Sequence, residues 1–315
     1  MRLRCLFVGV STLFILSRGA AEPAASAPKR VVFLAGGPSH DYGSHEYYAG
    51  SMLLARLLRE NAPGLETTVV RGWPTDASML AEASALVIGC DNGSLITQHL
   101  AELDALMEQG KGLAVLHYAL AVPKGKPGDA MLEWIGGYYE TFWSVNPTWQ
   151  ADFKGFPEHP VTRGVRPFSI GDEWYYHMRF REGREGVTPV LTAVPPDSTR
   201  DRPDGEHSNN PTVRAGRGMA EHVAWVYQRA DGGRGFGFTG IHPHWNWAHD
   251  DYRKLVLNAI AWSAGVDVPR DGVPSKTPTL EELQQNLDEP IPDNWNPEPV
   301  ERMIRQFNLR VAGDN

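Results

Sequence analysis

Apolar residues follow two alternating rhythms along this chain. Short unbroken runs at Val31–Gly37, Thr67–Val70, Ala85–Cys90 and Leu113–Tyr118 have the length and branched side chains of buried strands. Between them the apolar positions recur at helical spacing. Met52, Leu53, Leu54, Leu57 and Leu58 mark a helix within Ser44–Asn61, and a short one closes over Met79–Ala83. An amphipathic helix is predicted over Thr97–Gln109, with Gly110 as its stop. Strand and helix alternate four times, which predicts an α/β domain whose first, third and fourth strands lie centrally in a parallel sheet with helices on both faces.

The rhythm breaks at Trp143. From there to Arg217 the chain is rich in Pro, Gly, Trp and His, with only short strand-like pieces at Trp174–Phe180 and Val190–Ala193. That pattern predicts long loop insertions around the carboxyl edge of the sheet. Strands resume at His222–Gln228 and Gly235–Thr239. A helix over Asp250–Ala264 follows, with Leu255, Leu257, Ile260 and Ala261 inward. The Pro-rich tail from Val266 carries one short helix, Leu280–Leu287, and is expected to wrap the domain surface.

In a parallel sheet ligands sit beyond the carboxyl ends of the strands, so the residues there matter most. Four strand ends carry polar residues, and three of them deliver five of the chain's eleven histidines: His40 and His45 after the first strand, His117 after the fourth, His242 and His244 after the last, with His249 slightly further on. The third strand is followed by Asp91-Asn92-Gly93. Imidazole is a common ligand for zinc and a serviceable acid or base near neutral pH. His242-x-His244 forms a chelating pair if the segment is extended, because alternate residues of a strand share a face.

Two further constellations stand out. In Asp172-Glu173-Trp174-Tyr175-Tyr176-His177, strand alternation places Glu173, Tyr175 and His177 on a site face and Asp172 on the other. The loop Trp143–Trp149, with two Trp residues and Asn146, reads either as a carbohydrate contact or as a loop packed down by its own rings. No G-x-S-x-G elbow, dinucleotide fingerprint or phosphate-binding G-x-x-x-x-G-K loop occurs.

Composition narrows the setting. Arg2 and Arg4, the apolar run Cys5–Leu16 and Ala25-Ser26-Ala27 predict a signal peptide over residues 1–27, hence a periplasmic or secreted protein with no membrane anchor after cleavage. Cleavage lowers the net charge from −8 to −10, which argues against nucleic acid or anionic membranes as partners. Cys90 is then the one remaining cysteine, so no internal disulfide forms. The sequence leaves homo-oligomerisation open.

The order S-H-x-x-G-x-H at 39–45, GKGLAVLHYA at 110–119, HPVTRG at 159–164, DEWYYHMRF at 172–180 and GFTGIHPHWNW at 237–247 resembles the ThuA-like, trehalose-utilisation family. The resemblance spans residues 28–268, leaving 269–315 as a C-terminal tail. It implies a flavodoxin-like three-layer sandwich, similar to class I glutamine amidotransferases. Their nucleophilic cysteine is replaced here by His117, so glutaminase chemistry is not expected. The family name implies glycosides or their 3-keto derivatives as substrates, and some members resemble metal-binding proteins.

Matching by position puts His45, His117, Glu173 and His242 at the implied site, with His244 and Asn246 belonging to this branch's own pattern. The expectation is a metal-assisted enzyme that cleaves, eliminates or isomerises a sugar. Its metal, zinc by preference, is held by some of His45, His117, His242 and His244, with Glu173 as an optional further ligand and His40 and His177 in reserve. Catalysis falls to His117, Glu173 and His244, and sugar contacts to Trp143, Asn146, Trp149, Tyr175 and Asn246. The rivals are a non-catalytic sugar-binding module using Trp143, Trp149, Trp174 and Trp245, and a loop-borne interaction protein.

Overall fold

The computed structural model describes residues 27–307 and Leu309. The predicted signal peptide therefore lies outside the described residues, apart from its last position. The first half runs β1 (Lys29–Ala35), α1 (Tyr47–Asn61), β2 (Leu65–Arg71), α2 (Ala77–Ala81), β3 (Ala85–Gly89), α3 (Ser94–Gln98), α4 (Leu100–Met107), β4 (Gly112–Leu116) and α5 (Lys126–Trp134). Then come β5 (Gly137–Tyr138), β6 (Trp149–Phe153), β7 (Phe168–Asp172), β8 (Arg179–Phe180), β9 (Val187–Ala193), α6 (Pro211–Ala215), β10 (Glu221–Gln228), β11 (Arg234–Phe238), α7 (Asp250–Ser263), α8 (Leu280–Leu283) and α9 (Glu298–Phe307).

Seven strands form one sheet in the order β2-β1-β3-β4-β11-β10-β9, with β1, β3 and β4 inside as the sequence predicts. Pairings from β2 through β11 are parallel, and β10 and β9 add an antiparallel extension. Alternation along β1 explains the layers. Val31, Phe33 and Ala35 join the core shared with α1 and α7, while Val32 and Leu34 join the core shared with α4 and α5. Both faces are covered, so the strands read as continuous apolar runs. A helix and a strand come very close at Gly112, where any Cβ would lie 2.1 Å from the Ser263 carbonyl oxygen. The end of α7 can rest on β4 only because that position has no side chain.

Three local expectations change. The predicted helix over 97–109 is two helices, broken at His99, whose φ of −122° leaves the helical range. The predicted strand Trp174–Phe180 is extended only at Arg179–Phe180, because His177 adopts a positive φ of 59°. The preceding β7 pairs with β6 in a separate hairpin-like ribbon beside the main sheet. The tail holds α9 as well as α8, and Val300, Met303, Ile304 and Phe307 pack it against the main core at helical spacing. No helix among the described residues is long and apolar enough to cross a membrane.

Candidate metal centre

Loops after four elements meet at the carboxyl edge. Those bearing His45 and His242 are stitched as a short antiparallel bridge: His45 N donates to His242 O (3.1 Å) and His244 N to Gly43 O (2.9 Å). Gly43, at φ 80°, lies flush on the Trp245 indole, where a Cβ would come within 2.5 Å of the ring. His117 follows β4 directly and Glu173 follows β7. One ligand atom from each of His45, His117, Glu173 and His242 falls within 4.8 Å of the other three. His45 and His117 both have positive φ, 50° and 54°, and Ile241 beside His242 reaches 92°. Such conformations cost about 1–3 kcal/mol each, and surrounding structure must impose them.

The hydrogen bonds assign the tautomers. His117 Nδ1 donates to the Thr239 carbonyl (2.7 Å) and His45 Nδ1 to Asp91 Oδ1 (2.8 Å). Both acceptors lack protons, so in the neutral rings both Nε2 atoms carry lone pairs. Yet these two Nε2 atoms lie 2.9 Å apart. A proton between them is disfavoured: burial drives His45 down to about 4 against the pull of Asp91, and His117, His40 and His242 push the same way. Asp91 is fit for its role. Burial alone would raise its carboxyl, but bonds from His45 and Tyr47 prevail and hold it at about 2.

Glu173 Oε2 lies 3.5 Å from His117 Nε2 and 3.2 Å from His242 Nδ1. Burial opposes its charge, but the two imidazoles outweigh that and keep it well below the usual carboxylate range. His242 Nδ1 is buried without a hydrogen-bond partner, so the 3.2 Å approach is an ion-pair contact only. Burial depresses His242, while the neighbouring carboxylate lifts it above the ordinary imidazole value. Asn146 Nδ2 donates to Glu173 Oε1 (3.1 Å), and the Tyr175 hydroxyl is 3.2 Å from His117 Nε2. Facing lone pairs, an orphaned ring nitrogen and a carboxylate held by an amide make a donor set suited to a cation. Tetrahedral zinc with bonds of about 2.0–2.1 Å would separate its ligand atoms by about 3.3 Å, and the observed 2.9–3.5 Å spacings bracket that. Thr239 and Asp91 stand behind the imidazoles as such ligands require.

The ThuA family, trehalose utilisation, matches residues 31–263. The chain belongs to the ThuA family. Two solved ThuA-like proteins share its fold. The one from Bacteroides uniformis has a TM-score of 0.52 at 15% identity and covers 79% of this chain and 97% of its own. The one from Parabacteroides merdae has a TM-score of 0.50 at 14% identity, covering 82% and 99%. No curated protein matches the chain.

Within this ThuA-family domain, the other expected site residues scatter. His244 is a correction. It is 2% exposed and its Nε2 bonds Leu283 O (2.9 Å) in the tail, away from the four-residue cluster. Asn246 is also turned inward, donating to Gly171 O and Asp172 Oδ2. Trp149, Trp174 and Trp245 are buried in the core, and Trp149 donates to Trp174 O. The Trp143 ring is engaged by the stacked His177 ring at 4.5 Å and the Arg179 guanidinium at 3.4 Å, so it offers no free platform. Asn146 and Tyr175 do reach the cluster. The His40 ring lies at a tilt against His45 on the solvent side, with the ring centres 3.7 Å apart.

His244→Gln is accordingly expected to leave metal stoichiometry unchanged while lowering stability by about 1–3 kcal/mol, through loss of the Leu283 bond in a buried setting. Metal analysis and a urea titration check both halves. Loss of metal in this variant would return His244 to the ligand set.

Three residues outside the expected site set organise the site. Asp91 and Tyr47 hold His45, with Tyr47 donating to Asp91 (2.7 Å). Asp172, fully buried, accepts from Glu173 N, Ile241 N, His242 N, Asn246 Nδ2 and Tyr252 Oη. Asp91 and Asp172 carry the signal of a strand end in the sequence, and Tyr47, at the start of α1, carries none. Behind them the tail closes the loops: Asp288 N donates to Glu46 Oε2, Gln284 Nε2 to Tyr42 Oη, and Trp295 packs on Tyr42 and Trp245.

Proposed function

We propose that this ThuA-family protein is an exported, metal-assisted enzyme acting on glycosides, above all on glycosides already oxidised at C3. His45, His117, Glu173 and His242 hold a divalent ion, and three imidazoles with a carboxylate favour zinc. The observation that carries the reading is the approach of two ring nitrogens, the lone-pair atoms of the neutral tautomers, to 2.9 Å beside Glu173 and an orphaned His242 nitrogen. Bound there, the ion would act as a Lewis acid toward a keto oxygen.

The chain's own groups supply the rest. A 3-keto group acidifies neighbouring C–H bonds, so a base at the mouth can take a ring proton. His40, whose side chain is 39% exposed, offers an imidazole there. Burial raises the phenols of Tyr118 and Tyr175 above their ordinary value, so both stay protonated near neutrality and donate to substrate oxygens. The departing glycosidic oxygen takes a proton from one of these donors or from solvent. Asn146 fixes the orientation of Glu173. Direct hydrolysis needs two carboxylates facing the bond. Near the cluster Asp91 is committed to His45 and Tyr47, Asp172 to five donors, and Glu140 to Arg179.

The test is incubation with 3-keto-glycosides and their parent glycosides, with and without chelator. Turnover confined to the keto sugars and lost with chelator is expected. Turnover of unoxidised glycosides alone, or of neither, overturns the reading.

A further inference from the structure

Two loop segments, 142–146 and 201–210, border the cluster. Backbone hydrogen bonds join them: Phe142 N to Glu206 O (2.8 Å) and Asn146 N to His207 O (3.1 Å). Asn209, 1% exposed, braces the second segment by donating to Arg200 O (2.7 Å) and Arg202 O (2.6 Å). Arg202 is thereby held beside Asn146, with Nη2 3.5 Å from Asn146 Oδ1, and Asn146 in turn donates to Glu173. A file of three side chains leads from the cluster to this guanidinium.

Arg202 has no carboxylate partner among the described residues, although acids surround it. Asp201 pairs with Arg217, Asp204 with Arg214 and Glu221 with Arg200. Its Nη1 is buried with no acceptor. A guanidinium presents five donors suited to planar oxyanions, and one left half-buried and unmatched carries an unrecovered desolvation cost. In a chain with a net charge of −8, a carboxylate would be easy to supply. Beside Arg202's loop neighbour His207, whose Nδ1 is 2.9 Å from Tyr139 Oη, the Tyr118 ring leads on to His45 at 6.0 Å. Polar rings thus span the space between the loop and the cluster.

We propose that Arg202 is an oxyanion subsite, and that the ligand is a sugar bearing a carboxylate or phosphate. The anionic group lies on the Arg202 guanidinium and the sugar ring extends toward Glu173 and the three imidazoles. The proposal rests on the sugar-site reading above and adds the charge class of its substrate. It also makes Arg202 a determinant of specificity, because a fork of donors pairs with an oxyanion in a way that a neutral hydroxyl does not match.

Calorimetric titration of the purified protein with glucose, glucuronate and glucose 6-phosphate tests it. At least one charged sugar is expected to bind about tenfold or more tighter than glucose, and which one does so identifies the carboxylate or phosphate source. Arg202→Gln should remove that difference and Arg202→Lys should keep part of it. If the Gln variant fails to fold, the Lys variant and the wild-type salt dependence decide, with the preference falling several-fold as salt rises from about 50 to about 500 mM. Equal affinities, no binding up to about 10 mM ligand, or a preference intact in Arg202→Gln overturns the proposal. Zinc content of the same samples separates the two readings. An Arg202-dependent preference without stoichiometric zinc sinks the metal reading alone, and stoichiometric zinc without a charge preference sinks this one alone.

Discussion

Replacing His117 by Ala is expected to strip stoichiometric zinc from the protein. Wild type, prepared without chelator, should carry about one zinc per chain, and the variant should lose affinity by more than about a hundredfold, since even residues behind the ligands cost about 10–100-fold. His117 is fully buried and its Nδ1 is spent on Thr239 O, so its Nε2 is the atom turned to His45, Glu173 and the Tyr175 hydroxyl. Asp91→Ala should cost about 10–100-fold by freeing the His45 tautomer. Acidification should act in the same direction. The ligands bind as neutral imidazoles, and His242, lifted above its ordinary value by Glu173 against the effect of burial, takes up a proton as pH falls well before His45, held near 4. Zinc at about 1,000 times its Kd should add about 4 kcal/mol to wild-type stability and nothing to the variant. Metal analysis with thermal melts checks this. Full zinc in His117→Ala, or none in wild type, leaves the cluster without a metal role.

Asp172→Ala should be the most destabilising single change near the site, costing about 3–5 kcal/mol. Five donors converge on this buried carboxylate, two of them the backbone N–H groups of Ile241 and His242. Removing it takes an acceptor from all five at once, leaving Asn246 only its bond to Gly171 O, and releases the φ of 92° at Ile241, which those bonds impose. Native domains hold only about 5–15 kcal/mol in reserve, so the loss is a large share. Zinc affinity should fall with it, because His242 would no longer be fixed opposite His45. Urea denaturation and zinc titration read the two effects. A loss under about 1 kcal/mol with zinc affinity intact would show that Asp172 does not position the loop.

The cluster was legible in the sequence to the extent that topology alone assembles it. Parallel strands bring their carboxyl ends to one edge, so His45, His117 and His242 arrive together whatever their side chains later do. Glu173 was legible as the acid at the head of its aromatic run. His244 was not, because its pairing with His242 assumed an extended segment. After Pro243 the chain instead turns into a short 3-10 helix, His244–Ala248, which swings the imidazole back to Leu283. His177 departs for a similar reason. Strand alternation puts it beside Glu173 and Tyr175, but its left-handed backbone sends it to Trp143 and Thr212. The abundance of Trp suggested sugar platforms. In the structure, long loops without regular secondary structure need a core of their own, and Trp149, Trp174 and Trp245 provide it.

What the sequence by itself determined is what periodicity and chain direction control: the alternating layers, the central β1, β3 and β4, the edge where ligands gather, and the family. Those features follow from local burial patterns that each segment carries within itself. Only the tertiary structure decided which groups near that edge are spent and which remain free. Asp172 is consumed by five donors, Asp201 and Asp204 by other arginines, and Arg202 is left over. Such pairings depend on distances between segments tens of residues apart, and a difference of 1–2 Å reassigns a hydrogen bond. No rhythm along the chain encodes that.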